Sequence, residues 1–317
     1  MAAPDPQISV VAATHNRAER LAALLDSLRT QTVGRPFEVV IVDDGSGDAT
    51  PRVLAGAQAA SDLDLRVVRN DPPRGRAGAR NVGWRAARAP LVAFIDDDCV
   101  ADPGWLEAGV RAAEESPGTI VQGRTGPIPD ELPMDLFSRT VVVEKDGPYY
   151  ETCNIFYPRA LVERLGGFDE VSFPGFGGED TDLAWRAIRQ GVQTRYEPEA
   201  RVFHAVVRMG PVGMLRYAAG WSQTMQIFAL YPEIRGRHLH KGVFWHWSHY
   251  GLLRVLVALL LPRRWYVLRR WLAHPYTIYL LRDHETSVLL APYVALRDLV
   301  ELVSVVHGAV RHRTFVL

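Results

Sequence analysis

Apolar runs alternate with helical stripes along the chain up to about residue 205, as a parallel α/β domain requires. Ile8–Ala13 is apolar except for Ser9, the pattern of a strand buried on both faces. It runs into Thr14-His15-Asn16-Arg17. Leu21, Leu24, Leu25 and Leu28 follow at a spacing that predicts a helix, with Asn16 as its cap and Glu19 as the capping-box partner. Phe37–Val42 predicts a second strand, closed by Asp43-Asp44-Gly45-Ser46, and Leu65–Val68 a short third. A Gly/Arg-rich loop, Pro72–Gly78, leads to a helix over Ala79–Ala87. Leu91–Ile95 is wholly apolar and ends abruptly in Asp96, Asp97 and Asp98. Strand–helix alternation of this kind predicts an α/β, Rossmann-like fold, a mostly parallel sheet flanked by helices and joined by right-handed crossovers.

Beyond Asp98 the pattern loosens. A helix is expected over Pro103–Glu115, with proline in its first turn, and a strand over Thr119–Gln122. Gly123–Tyr150 reads as a long loop which, with Pro174–Gly178, would form a mobile cover over the site at the strand ends. Pro158–Leu165 predicts a helix. Glu179-Asp180 opens another over Thr181–Gln190, which Gly191 terminates. Thr194–Tyr196 and Arg201–His204 predict two short strands that complete a domain over residues 1–205. Residues 206–317 then read as a basic, largely helical C-terminal subdomain with two long, weakly charged segments, Gly242–Leu261 and Ser287–Val310. A transmembrane span over the first is costly, because Arg254 would sit near the bilayer centre. The flanking Lys241, Arg263, Arg264, Arg269 and Arg270 suit an interfacial helix better. A helical subdomain packed on the first domain or in a homodimer accounts for the pattern equally well.

Composition changes this picture in one respect. The 317 residues are 48% hydrophobic and formally neutral, which fits a folded protein. The neutrality conceals an asymmetry. Residues 1–205 hold 22 basic and 31 acidic side chains, whereas residues 206–317 hold 14 basic and 5 acidic ones. A basic half of this kind suggests an anionic partner, with nucleic acid and an anionic membrane surface as the candidates. Cys99 and Cys153 form neither a disulfide framework nor a metal pair, and Met1–Gln7 lacks a signal-peptide apolar region. The expectation is a cytoplasmic protein, held peripherally on the inner face of the plasma membrane.

Candidate chemistry gathers at strand ends. Ligands of open α/β sheets bind beyond the carboxyl ends of the strands. The carboxylates of Asp96, Asp97 and Asp98 repel one another unless a cation sits among them, and oxygen ligands suit Mg²⁺ or Mn²⁺. A solvated acidic turn is the bland alternative. Asp44 and the Thr14–Arg17 loop fall on the same edge, where a carboxylate can accept hydrogen bonds from a nucleobase or ribose. Arg74, Arg76 and Arg80 offer guanidinium forks to phosphate oxygens. Glu179 and Asp180 stand at a helix N-terminus, which favours their ionised form, although neighbouring phosphates would push the pKa back up. His204, at a strand end, is a candidate metal ligand beside the carboxylates.

The ordered set ATHNR (13–17), VDDGS (42–46), RAGARN (76–81), FIDDD (94–98), GGEDTDLAWR (177–186) and FH (203–204) resembles the glycosyltransferases of family 2 over roughly residues 8–205. Each motif is weak alone, but their order and spacing together are specific. The resemblance implies a GT-A fold, a nucleotide-diphosphate sugar donor and a divalent cation, Mn²⁺ or Mg²⁺. It implies that Ala13, Thr14, His15, Asn16, Arg17, Asp44, Arg76, Arg80, Asp96 and Asp97 line the donor site, with Asp44 at the base. Asp96 and Asp98 would be the DxD pair, Asp98 binding the metal directly and His204 lying at the metal or diphosphate. Asp180 would be the catalytic base, with Glu179 beside it. No Gln-x-x-Arg-Trp motif of the processive synthases follows, which implies addition of one sugar or a few, to a glycan, lipid-linked or small-molecule acceptor hydroxyl, with inversion. Nucleic acid then drops out as a partner.

Three other readings fit the chain less well. A sugar-nucleotide pyrophosphorylase would need a glycine-rich loop where Thr14–Arg17 stands. A dinucleotide-dependent oxidoreductase would need a G-x-G-x-x-G after a strand. A membrane-associated adaptor without catalysis would leave three carboxylate sites without use.

Overall fold

The structure, a computed structural model, describes residues 5–173, 177–282 and 288–317. It divides into two compact units, one made of residues 1–134 and 139–207, the other of residues 135–138 and 208–317.

The first unit is a mixed eight-stranded sheet. Its strands are β1 (Ile8–Thr14), β2 (Phe37–Asp43), β3 (Leu65–Arg69), β4 (Leu91–Ile95), β5 (Cys99–Ala101), β6 (Ile120–Pro127), β8 (Asn154–Pro158) and β9 (Thr194–His204). The two-residue strands β7 (Ser138–Arg139) and β10 (Val207–Arg208) lie where the chain passes between the units. The strand order is β3-β2-β1-β4-β8-β6-β9-β5. The first four strands run parallel, with Thr14 opposite Asp43. β8 runs antiparallel to both β4 and β6, β9 lies parallel to β6, and β5 is antiparallel to β9. The carboxyl ends of β1, β2, β4 and β9 therefore open on one edge, and the amino end of β8 joins them there.

Helices α1 (Ala18–Arg29), α2 (Thr50–Ala60), α3 (Gly75–Ala86), α4 (Trp105–Glu115), α5 (Arg159–Arg164) and α6 (Glu179–Ile188) flank the sheet. Leu21, Leu24, Leu25 and Leu28 of α1, all essentially inaccessible, enter one core with Ile8 and Val10 of β1 and Trp105 of α4. Helix α4 comes so close to β8 that a Cβ at Gly109 would lie 2.1 Å from the Phe156 ring. A dry strand face and an apolar helix stripe give the largest favourable term available to folding.

Several expectations are corrected here. Asn16 does not cap α1. Its backbone is left-handed (φ 54°) and its side-chain oxygen accepts from Gly47 N at 2.8 Å. Asp48 instead accepts from the Ala18 amide at the helix start. Asparagine tolerates the left-handed region and serves loop amides there. The Pro72–Gly78 loop is shorter than expected, because α3 begins at Gly75, so Arg76 and Arg80 stand on a helix. The two predicted strands near residue 200 are a single β9 running through Pro198, with a register shift opposite Gly123 and Arg124 absorbing the irregularity. Strands β5 and β8 were not anticipated; they run antiparallel within a sheet that is mostly parallel, as expected.

Gly123–Tyr150 is not a single free loop. It continues β6 to Pro127, and Val143 exchanges backbone hydrogen bonds with Thr125 at 2.8 and 2.9 Å. The Tyr149 carbonyl accepts from Thr181 Oγ1 and the Pro148 carbonyl from Trp185 Nε1. Within Pro174–Gly178, Pro174, Gly175 and Phe176 lie outside the described residues.

The second unit contains α7 (Gly210–Gly220), α8 (Met225–Leu230), α9 (Arg235–His238), α10 (Trp247–Leu260), α11 (Tyr266–Arg282) and α12 (Ala291–Arg311). Helices α7 and α11 were not anticipated. The segment expected over Gly242–Leu261 is helical only from Trp247, and Ser287 lies outside the described residues. Among the described residues, no helix is long and apolar enough to cross a membrane.

Candidate active site

Strand ends supply the side chains, and two arginines hold them apart. Arg80 projects from α3 into the interior, where its Nη2 donates to Asp96 Oδ1 and its Nη1 to Glu179 Oε1, each at 2.8 Å. Arg80 and Glu179 are almost fully buried, at 6% and 4% exposure. A buried charge survives only when paired. Burial works against the Arg80 cation, but Asp96 and Glu179 outweigh it and raise its pKa. Burial likewise pushes the Asp96 carboxyl up, yet Arg80, with His204, holds it below the usual carboxylate range. The phosphate fork expected at Arg80 is thus directed at two carboxylates.

Arg17, just beyond β1, reaches Asp97 at 3.1 Å and also Asp98. Asp97 is buried, which lifts its carboxyl to about 6 against the pull of Arg17. Asp98 faces His204, with Nε2 3.4 Å from Oδ1. His204 Nδ1 lies 2.9 Å from the Ala205 carbonyl. A carbonyl can only accept, so Nδ1 carries a proton, and Nε2 is the nitrogen that faces Asp98. Asp98, Cys99 and His204 bring one potential ligand atom each within 4.8 Å of one another. Burial raises the Cys99 thiol well above its ordinary pKa, so it stays protonated and poorly suited to a hard ion. A carboxylate and an imidazole whose other nitrogen is held by a backbone carbonyl suit a divalent cation. Asp98 and His204 therefore fit such an ion, with Arg17 as its electrostatic competitor, while Asp96 is directed at Arg80.

Glu179 and Asp180 open α6, whose N-cap Gly178 has φ 109°, a conformation that favours glycine. The helix N-terminus was expected to favour ionised Asp180. Burial and the neighbouring Glu179 overcome it, even against Arg80, and lift Asp180 to about 7. Glu151, also facing Asp180, is itself lifted to about 7 by burial. Nothing in the sequence marks Glu151. It precedes β8, and its proximity to Asp180 depends on a strand that the pattern did not disclose.

A second loop on this edge is built around Asp44. Its carboxylate accepts from Asn70 Nδ2 at 2.7 Å and from the Arg74 and Gly75 amides at 2.8 Å, so it closes the start of α3. Asp43 pairs with Arg69 and accepts from the Ser46 amide. His15 Nδ1 lies 2.7 Å from the Asp44 carbonyl, and His15 Nε2 lies 2.8 Å from Asn16 Nδ2. Ala13 and Thr14 end β1 beside them. Arg74 pairs with Glu170 at 3.0 Å, and Arg76 is exposed on α3, contributing to the low Asp96 pKa. The expected residues thus fall into two groups on one sheet edge, an Asp44 loop and an Asp96–Asp98 cluster that Arg80 joins to Glu179, next to Asp180.

Comparison with known proteins agrees with this architecture. The family model for glycosyl transferase family 2 matches residues 9–164, and one described as the N-terminal domain of galactosyltransferase matches residues 133–207. Validoxylamine A glucosyltransferase of Streptomyces hygroscopicus subsp. jinggangensis is 32% identical over 226 residues, covering 59% of this chain and 52% of that protein. The chain thus spans about half the length of that relative. Glycosyltransferase AglE of Haloferax volcanii is 32% identical over 236 residues, covering 71% of this chain and 75% of that protein. A solved mannosyltransferase from Pyrobaculum calidifontis, in complex with GDP-Man and Mn²⁺, superposes with a TM-score of 0.62 at 20% identity, over 98% of this chain and 88% of its own. That likeness speaks for the GT-A fold. With the order of motifs and the strand-edge site, it follows that the chain belongs to glycosyltransferase family 2.

Proposed function

We propose that the chain transfers a sugar from a nucleotide-diphosphate donor to an acceptor hydroxyl, with inversion and without processive extension. The observation that carries this reading is Asp180, a half-buried carboxyl lifted to about 7 beside Glu179, which Arg80 ties to the strand-end carboxylate of Asp96. An acceptor hydroxyl is a poor nucleophile until a positioned base takes its proton, and a pKa near the working pH is the useful one. One base and an already activated leaving group suffice for a single displacement.

The Thr14–Arg17 loop and the Asp44 turn would receive the nucleoside, and Arg17 and Arg76 the diphosphate. Asp98 and His204 would hold a divalent cation, which neutralises charge developing on the departing diphosphate. Residues 1–205 are read as the catalytic domain and residues 206–317 as an accessory region. The relatives carry sugar-transfer names and the solved neighbour holds GDP-Man with Mn²⁺, which supports the donor class and the cation.

The test is a screen of UDP-, GDP- and dTDP-sugars for hydrolysis and transfer, with and without EDTA. Turnover of a donor class that EDTA suppresses is expected. Undiminished turnover in EDTA would remove the cation from this reading, and absence of turnover on every donor class would remove the activity.

A further inference from the structure

We propose that the turn between α10 and α11 docks on an anionic phospholipid surface, lying in the headgroup layer without crossing the bilayer. Every residue from Pro262 to Leu268 is exposed. Large apolar side chains dominate the turn and its flanks: Leu260 is 86% exposed, Trp265 48%, Tyr266 65%, Val267 64% and Trp271 64%. Scattered exposed apolar residues need no explanation, but a contiguous set marks an interaction face. Tryptophan and tyrosine suit the membrane–water boundary, where an apolar ring and a polar tip are both accommodated.

The turn is held on a built frame. Arg254 of α10 donates to the Trp271 carbonyl at 3.1 Å and stacks on the Trp271 ring at 4.7 Å. Tyr276 of α11 packs with Leu252 of α10 and Leu302 of α12. The two helices thus present the turn without needing a partner to fold it.

Charge decides between occupants. Arg263, Arg264, Arg269 and Arg270 surround the apolar residues, and no Asp or Glu occurs between Glu233 and Asp283. In a two-fold contact the same patch meets itself, so a second copy would bring arginines against arginines with no carboxylate from this hairpin to neutralise them. Lipid phosphates supply that charge, while the arginine stems lie along the apolar surface with their heads in the polar layer. Neither helix is long enough to cross: the 14 residues of α10 and the 17 of α11 reach about 21 and 26 Å at the helical rise, short of the roughly 30 Å hydrocarbon core.

The experiment is co-sedimentation of the full chain with phosphatidylcholine vesicles and with vesicles in which phosphatidylglycerol replaces part of that lipid. Binding is expected on the anionic vesicles only, and it should weaken with added salt, because exposed charges are screened. Each basic residue at such a surface contributes about fivefold in partition. The variant R263Q/R264Q/R269Q/R270Q should therefore bind at least about a hundredfold more weakly, and W265S/Y266S/W271S should also detach. Both variants alter exposed or half-exposed positions, and circular dichroism should confirm that they fold. The wild-type dependence on lipid charge and salt tests the proposal even if one does not. No binding to anionic vesicles at low salt would overturn it, as would equal binding to neutral vesicles or wild-type binding by the folded arginine variant. Concentration-dependent dimerisation without vesicle binding, abolished by W265S/Y266S/W271S, would assign the face to a second copy instead.

Discussion

A carboxyl lifted to about 7 serves as a base only once it has lost its proton, so the role proposed for Asp180 gives activity a direction in pH. The rate should climb as pH rises through about 7, and Asp180→Asn should lower turnover by about 10²–10⁴-fold. A pH–rate profile at saturating donor checks this; near wild-type turnover by the variant would move the role to Glu179. The same shift also bears on stability. A group whose folded pKa is raised contributes stability that is fully present below the ordinary carboxylate range and is lost as pH rises through the folded value. Asp180 and Glu151, both lifted to about 7, should make the thermal midpoint fall between about pH 4 and 7. Asp180→Asn should flatten that slope, and an unchanged slope would contradict the assignment. Arg80 belongs to the same scale. Arg80→Ala leaves Asp96 and Glu179 without their shared cation, and breaking a buried pair costs about 3–5 kcal/mol, which urea unfolding would measure. Asp96, Asp98, Asp180 and His204 were legible because each lies in a motif whose order carries information. Glu151 was not, since only the folded sheet sets it against Asp180.

At the scale of elements, the dry fit of α4 on β8 is the sharpest steric constraint. A Cβ at Gly109 would enter the Phe156 ring, and overpacking of this kind costs about 1–3 kcal/mol. Gly109→Ala should lower the thermal midpoint, and pairing it with Phe156→Leu should recover part of the loss. Full additivity of the two changes would show that the clash is relieved elsewhere. The parallel strands and their helices were legible because their patterns are local. β8 was hidden because its apolar run is short and ends in a proline before a helix, and its identity as a strand comes from β4 and β6 on either side. Its amino end is anchored by Asn154, whose side chain accepts from Trp105 Nε1 and donates to the Arg124 and Ala200 carbonyls. β9 was read as two strands because Pro198 interrupts the pattern, as proline usually does inside a sheet. The irregularity opposite Gly123 is what admits it.

For the whole molecule, the uneven charge of the two halves was plain in the sequence and the helical content of the second half in part. The excursion of residues 135–138 into the second unit was not, because four residues carry no periodicity of their own. The strapped segment before β8 has a practical outcome. The chain holds only two lysines, Lys145 and Lys241, and Lys145 sits in the exposed run Glu144–Asp146. Val143 is tied to β6 on one side, and Pro148 to α6 on the other. A lysine-specific endoproteinase should cut there first under native conditions. The two pieces should nevertheless co-elute on gel filtration, because the later one supplies β8 and inserts it between β4 and β6 of the earlier one. Severing the backbone at Lys145 would then yield a split protein whose halves reassemble as a single sheet, and a cut that let them drift apart would mean the straps do not hold.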